Sequence, residues 1–110
     1  MTGITTHVLD TVRGGPAAAV AVRLERRGPS GQWTDVARAA TDPDGRAGFA
    51  GEGSPGVYRL EFDTGAYFTS SGVDAFYPQV AVIFEIRDGS RHHHVPLLLS
   101  PFGYSTYRGS

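Results

Sequence analysis

The chain has 110 residues, ten basic against eleven acidic, for a formal net charge of -1, and it contains no cysteine. That length suits one domain over residues 1–110, burying roughly 65% of its unfolded surface. A hydrophobic content of 40% excludes a disordered tail, and the near-neutral charge removes the electrostatic case for nucleic acid or an anionic membrane. All ten basic residues are arginine, which excludes a lysine Schiff base and a P-loop lysine; without cysteine there is no thiol nucleophile or cysteine zinc site.

The opening MTGITTHVLDTVRGG meets a histidine and an aspartate before any apolar run, unlike a secretory signal or a membrane span. A cytoplasmic protein is therefore expected. Ile4 to Asp10 reads as a first strand, closed by Gly14-Gly15-Pro16. From Ala18 to Arg27, Val20, Val22 and Leu24 alternate with Ala21, Arg23 and Glu25, the period of a strand with one buried face. After a turn at Gly28-Pro29-Ser30-Gly31 come a strand at Trp33 to Ala40, a turn at Asp42-Pro43-Asp44-Gly45, and a short strand near Gly45 to Ala50. Val57 to Asp63 turns Tyr58, Leu60 and Phe62 inward, and Thr64 to Ser71 is the one plausible helix. Gln79 to Arg87 places Val80, Val82, Phe84 and Ile86 on one face; His92 to Leu99 and Tyr104 to Tyr107 complete the set. About eight short strands separated by turn signals predict a β-sandwich.

Several motifs fail on their context. Gly51-Glu52-Gly53-Ser54-Pro55-Gly56 spells GxGxxG, but it contains proline and leads into a strand rather than a helix. Asp42-Pro43-Asp44-Gly45 has too few ligands for a calcium loop, and no serine sits in a GxSxG elbow. His92-His93-His94 is the conspicuous run. On a strand, His92 and His94 share one face and His93 points to the other. With His7 as a third ligand they make a conceivable metal set, but no acidic residue accompanies them and the spacing is not a zinc spacing. No metal and no cofactor are expected.

Three separated segments carry a likeness to one family. ITTHVLDT (Ile4 to Thr11) followed by RGGPA, TDPDGR (Thr41 to Arg46) and HVPLLLSPFGYSTYRGS (His94 to Ser110) resemble the opening, an internal turn and the C-terminal block of the 5-hydroxyisourate hydrolases, the transthyretin-related enzymes of urate breakdown. GVYRLEFDTGAYF and FYPQVAVIFEI fit the centre between them. One departure stands out, since the family leads one to expect tyrosine where this chain has His93.

The resemblance implies an all-β, transthyretin-like sandwich of two four-stranded sheets with one short helix, assembled as a homotetramer around a channel. It implies hydrolysis of 5-hydroxyisourate to 2-oxo-4-hydroxy-4-carboxy-5-ureidoimidazoline by histidine-assisted attack of water. Carried over by position, His7 and His94 are the expected catalytic pair, with the general base left open between them. Arg46 is expected to bind the substrate's oxygens and the charge that develops on attack. Tyr107 is expected to contact substrate. Ser110 is expected to position a histidine or water, after a chain reversal that the backbone freedom of Gly109 makes easy. Strand parity agrees: Thr5, His7 and Leu9 share one side, His92, His94, Pro96 and Leu98 another, and Tyr107 goes with Ser105. A face bearing Leu9, Pro96 and Leu98 beside histidines is too apolar for solvent, which predicts a covering partner. The alternative is a non-catalytic small-ligand carrier of the transthyretin type, for which a lysine is expected at His7, an acid at Arg46, and threonines at His94 and Tyr107.

Overall fold

The computed structural model describes residues 3–110. Nine strands and one helix follow in order: β1 (Gly3–Asp10), β2 (Gly15–Pro16), β3 (Ala21–Arg27), β4 (Trp33–Ala40), β5 (Arg46–Ala50), β6 (Gly56–Phe62), α1 (Thr64–Ser70), β7 (Val80–Ile86), β8 (His92–Ser100) and β9 (Gly103–Thr106). They form two sheets. One runs β4-β3-β6-β7; the other runs β2-β1-β8-β9, with β5 also paired to β1. Because β8 occupies one side of β1 along its whole length, β5 (opposite Gly3 to His7) and β2 (opposite Leu9 and Asp10) must share the other. The expected four-stranded sheet is therefore five-stranded only by this two-residue addition at Gly15–Pro16, which reads as a turn in the sequence.

Alternation drives the sandwich. Ile4 and Val8 from β1, and Val95, Leu97 and Leu99 from β8, meet Val22, Leu24, Tyr58, Leu60, Phe62 and Val80 from the facing sheet, all buried. Each such side chain contributes about 1.5–3 kcal/mol relative to exposure. The strand read from Ala18 begins only at Ala21, because Ala19 takes φ +61° and bends the chain. The helix starts where Asp63 accepts a hydrogen bond from the Ala66 N–H at 3.3 Å, an N-cap contact. It buries Tyr67 and Phe68. Tyr67 donates to Asp10 Oδ2 at 2.8 Å, and Asp10 Oδ1 accepts from the backbone of Val12 and Arg13, so the helix is tied to the end of β1.

The two outer faces differ, and this locates the site. On β3, β4 and β6 the outer face is an ionic lattice: Arg59 Nε donates to Glu25 at 2.8 Å, Arg23 pairs with Glu61, and the Arg59 guanidinium lies 4.4 Å above the Trp33 ring. Arg59 holds the buried Glu25 carboxyl below its usual range. Those charges satisfy one another. The outer face of β1, β5, β8 and β9 carries the histidines instead.

Candidate functional site

The strand registers set this second face out in rows. His7 is paired with Arg46 on β5 and with Pro96 on β8. Thr5 is paired with Gly48 and His94. Leu9 is paired with Pro16 and Leu98, and Leu98 with Ser105. On the far side, Leu97 pairs with Thr106 and His94 with Gly109, so Tyr107 stands opposite Pro96 in the same register. Directly opposed residues project to the same side. One row therefore reads Arg46, His7, Pro96, Tyr107, and the next Gly48, Thr5, His94, Gly109. The His7 and His94 Cα atoms lie about 8 Å apart on the diagonal, from strand spacing and rise.

Four of the five expected residues thus come to one face from four segments. Pro96 explains why β9 stops at Thr106: it has no N–H for the ladder, and its carbonyl accepts the Thr106 hydroxyl at 2.7 Å. Tyr107, 59% exposed, follows that break. Ser110 is exposed and, by register, stands opposite His93 rather than His94. Gly109 abuts the site instead: its N–H donates to the His94 carbonyl at 2.9 Å, and a Cβ on it would meet His94 Cδ2 at 2.4 Å. Its φ is not positive. Glycine stands there for the ring's close approach, not for the backbone freedom expected from the sequence.

Arg46 is delivered by the turn before β5. Asp42 Oδ1 accepts the N–H groups of Asp44 and Arg46, each at 2.9 Å, and Gly45 N–H donates to the Asp42 carbonyl at 2.8 Å. Gly45 has φ +80°, and a Cβ there would lie 2.5 Å from the Val8 carbonyl oxygen, so only glycine closes this turn against β1. Arg46 is exposed, and among the described residues its guanidinium has no ion-pair partner. It is free for a ligand.

The histidines differ in environment. His7 Nε2 lies 2.8 Å from the Asp44 carbonyl oxygen. A carbonyl only accepts, so Nε2 carries the hydrogen and Nδ1 is the nitrogen left for a ligand. His94 is half-buried, with Nδ1 2.8 Å from Thr5 Oγ1 and its Cδ2 edge over Gly109, which leaves Nε2 open. Burial first, then the nearby His92, His7 and Arg46, push His94 below the ordinary histidine value near 6.5. That shift favours the neutral imidazole. A depression of about 360 Å³, lined by Thr5, Asp42, Arg46, Gly48 and His94 among others, lies over this row. His93 points the other way, is 7% exposed, and donates from Nδ1 to the Arg91 carbonyl at 3.0 Å.

Sequence reasoning put Thr5 and His92 on this face, gave Thr5 no role, and weighed His92 only as a metal ligand beside His94 and His7. Thr5 Oγ1 also lies 2.7 Å from His92 Nε2. The signal was available in part, since Thr5 is two residues from His7 on the same side, but nothing local says that it reaches a strand almost ninety positions away. Among the described residues no group of three or more histidine, cysteine or acidic side chains is arranged to hold a metal ion.

The sequence model of the HIUase/Transthyretin family matches residues 4–109. The 5-hydroxyisourate hydrolase of Caulobacter vibrioides is 50% identical over 117 residues, covering 100% of both chains. The uric acid degradation bifunctional protein TTL of Arabidopsis thaliana is 47% identical over 97% of this chain, which spans only 37% of that longer protein. Among solved structures, Klebsiella pneumoniae 5-hydroxyisourate hydrolase superposes with a TM-score of 0.86 at 37% identity, covering 99% of this chain and 100% of that one. Sea bream transthyretin in complex with thyroxine does so with a TM-score of 0.90 at 37% identity, covering 96% and 93%. With a match that runs through both ends of the sandwich and all its strands, the chain belongs to the HIUase/Transthyretin family.

Proposed function

We propose that residues 1–110 act as one 5-hydroxyisourate hydrolase domain, opening the substrate's ring in urate degradation without metal or cofactor. The observation that carries this is the pairing of a neutral, partly buried His94 with an unpaired Arg46 guanidinium over one depression. His94 Nε2 takes a proton from water as its oxygen attacks a ring carbonyl. Arg46 binds the substrate's oxygens and the negative charge that develops on the attacked carbonyl. The ring C–N bond then breaks, the leaving nitrogen takes the proton that His94 Nε2 removed from water, and His7 Nδ1 accepts a hydrogen bond from the water to orient it. Tyr107 supplies a flat ring against a planar substrate; Ser110, opposite His93 by register, has its side chain on the other side of the strand from His94 and is given no step.

Fold likeness alone does not separate this from a transthyretin-type carrier, since both occupy the same sandwich. The side chains separate them: His7, Arg46, His94 and Tyr107 are not the lysine, acid and threonines expected of a carrier. A homotetramer is part of the proposal. Leu9 and Leu98, directly paired on the histidine face, are only half-buried in the single chain, and Val12 and Phe102 are 71% and 73% exposed nearby in sequence. A cytoplasmic setting is proposed with it; among the described residues no helix is long and apolar enough to cross a membrane.

The test generates 5-hydroxyisourate in situ with urate oxidase and follows its ultraviolet decay. The protein should accelerate decay, and His94→Ala and Arg46→Ala should each remove about 10²–10⁴-fold of that acceleration. Decay at the spontaneous rate with the intact protein would refute the hydrolase reading. Light scattering should return a tetramer, and a stable monomer at micromolar concentration would remove the channel.

A further inference from the structure

We propose that Thr5 and His92 are positioning residues that select which ring nitrogen of His94 carries the proton, a step that rests on the hydrolase reading. The three side chains are joined by one hydroxyl: Thr5 Oγ1 lies 2.7 Å from His92 Nε2 and 2.8 Å from His94 Nδ1. The fold makes this contact in a specific way. β1 and β8 run parallel, Thr5 opposite His94 and Gly3 opposite His92. The exposed His92 imidazole reaches diagonally across to Thr5 rather than to its direct partner Gly3.

A hydroxyl has one proton to give and two lone pairs to accept with. Two directed arrangements follow. In the first, His94 Nδ1–H donates to Thr5, and the Thr5 proton goes to the lone pair of His92 Nε2. His94 Nε2 then has its lone pair free and can take a proton from water. In the second, every hydrogen bond is reversed: His92 Nε2–H donates to Thr5, Thr5 donates to His94 Nδ1, and His94 Nε2 carries a hydrogen. The second arrangement is inactive as a base. A protonated His92 has no lone pair at Nε2 to accept the Thr5 proton, which leaves His94 Nδ1 as the acceptor of the two rings and favours the reversed direction. A neutral His92 therefore favours the active tautomer of His94, because it accepts the Thr5 proton.

The titratable and charged groups around His94 are His92 and His93 on its own strand, His7 on β1, Arg46 on β5, Asp42 in the turn before β5, Glu85 on β7, and Tyr107 and Arg108 on the C-terminal segment. Asp42 Oδ1 is already committed to two backbone N–H groups. Among the described residues Thr5 is the only side chain hydrogen-bonded to His94 Nδ1. Neither Asp42 nor Glu85 is hydrogen-bonded to that nitrogen, so the hydroxyl holds the tautomer.

The experiment compares Thr5→Val, which keeps shape and loses the hydroxyl, Thr5→Ser, which keeps the hydroxyl, and His92→Gln, which keeps polarity and cannot titrate. Turnover of 5-hydroxyisourate is measured across pH, with long-range proton–nitrogen NMR of the histidine rings on the same samples. Thr5→Val should lower kcat about tenfold with little change in KM, and Thr5→Ser should restore it. In His92→Gln, whose side-chain oxygen can still accept the Thr5 proton, kcat should fall less than in Thr5→Val. The spectra should show His94 protonated at Nδ1 in the wild type and not in Thr5→Val. An active wild-type protein whose Thr5→Val variant keeps full kcat, or whose His92→Gln variant loses more kcat than Thr5→Val, overturns the relay and leaves the hydrolase reading standing. If the wild type has no activity, that reading fails, and the spectra decide the relay alone: an identical His94 tautomer in wild type and Thr5→Val refutes it.

Discussion

Replacing Gly109 by alanine tests the site at its tightest point. An added Cβ would lie 2.4 Å from His94 Cδ2, 3.1 Å from Cγ and 3.2 Å from Cβ, whereas ordinary contact begins at 3.4 Å. The ring edge must retreat by about 1 Å, and a misplacement of that size costs on the order of 10²-fold in rate. The backbone itself poses no obstacle, because Gly109 is not at positive φ. The rest of the fold is little affected, since the imidazole can swing toward the open depression, so the stability cost should stay near the lower end of the about 1–3 kcal/mol typical of overpacking. Turnover of enzymatically generated 5-hydroxyisourate and thermal unfolding are measured on the same preparation. The expected pattern is a fall in kcat of about 100-fold with a melting temperature within a few degrees of wild type. A Gly109→Ala protein with kcat within about threefold of wild type would show that the His94 ring position does not govern the rate.

Three further outcomes follow from other parts of the molecule. His94 is held below its ordinary value near 6.5, so the folded state takes up its proton less readily than the unfolded state. Its contribution to stability is therefore fully present above about 6.5 and is lost as pH falls through that value toward the lower folded one. The acid limb of kcat/KM in the free enzyme should lie below 6.5 for the same reason, and a limb at or above pH 7 would contradict His94 as the base. Tyr67→Phe deprives buried Asp10 Oδ2 of its donor and should cost about 1–3 kcal/mol, read by urea unfolding, with turnover unchanged. His93→Ala removes a buried ring that faces the interior and should lower stability by about 1–3 kcal/mol; turnover at 25 °C should stay near wild type, and a large loss would place His93 in the site.

Alternation along the chain determined much of this protein without further help. Leu60 and Val82 are inward because a period of two leaves them no other side, and the same rule separates His93 from His92 and His94. The turn at Asp42 to Gly45 was legible too, since aspartate and glycine at those positions have a mechanism for closing it. The sequence alone could not reveal the partners across strands. Register is a non-local quantity, settled by how two sheets bury their apolar faces together. Only after β1 lies parallel to β8 does Thr5 meet His94, and only after β9 resumes beyond Pro96 does Gly109 lie under the same ring. Which face of which sheet holds the chemistry was likewise decided in three dimensions: Arg23, Arg59, Glu25 and Glu61 neutralise one outer surface, while Arg46 on the other has no carboxylate to pair with among the described residues. Local pattern chose the side each residue faces, because pleating is a property of the single strand. Tertiary packing chose its neighbours, because those contacts join positions that the chain itself holds dozens of residues apart.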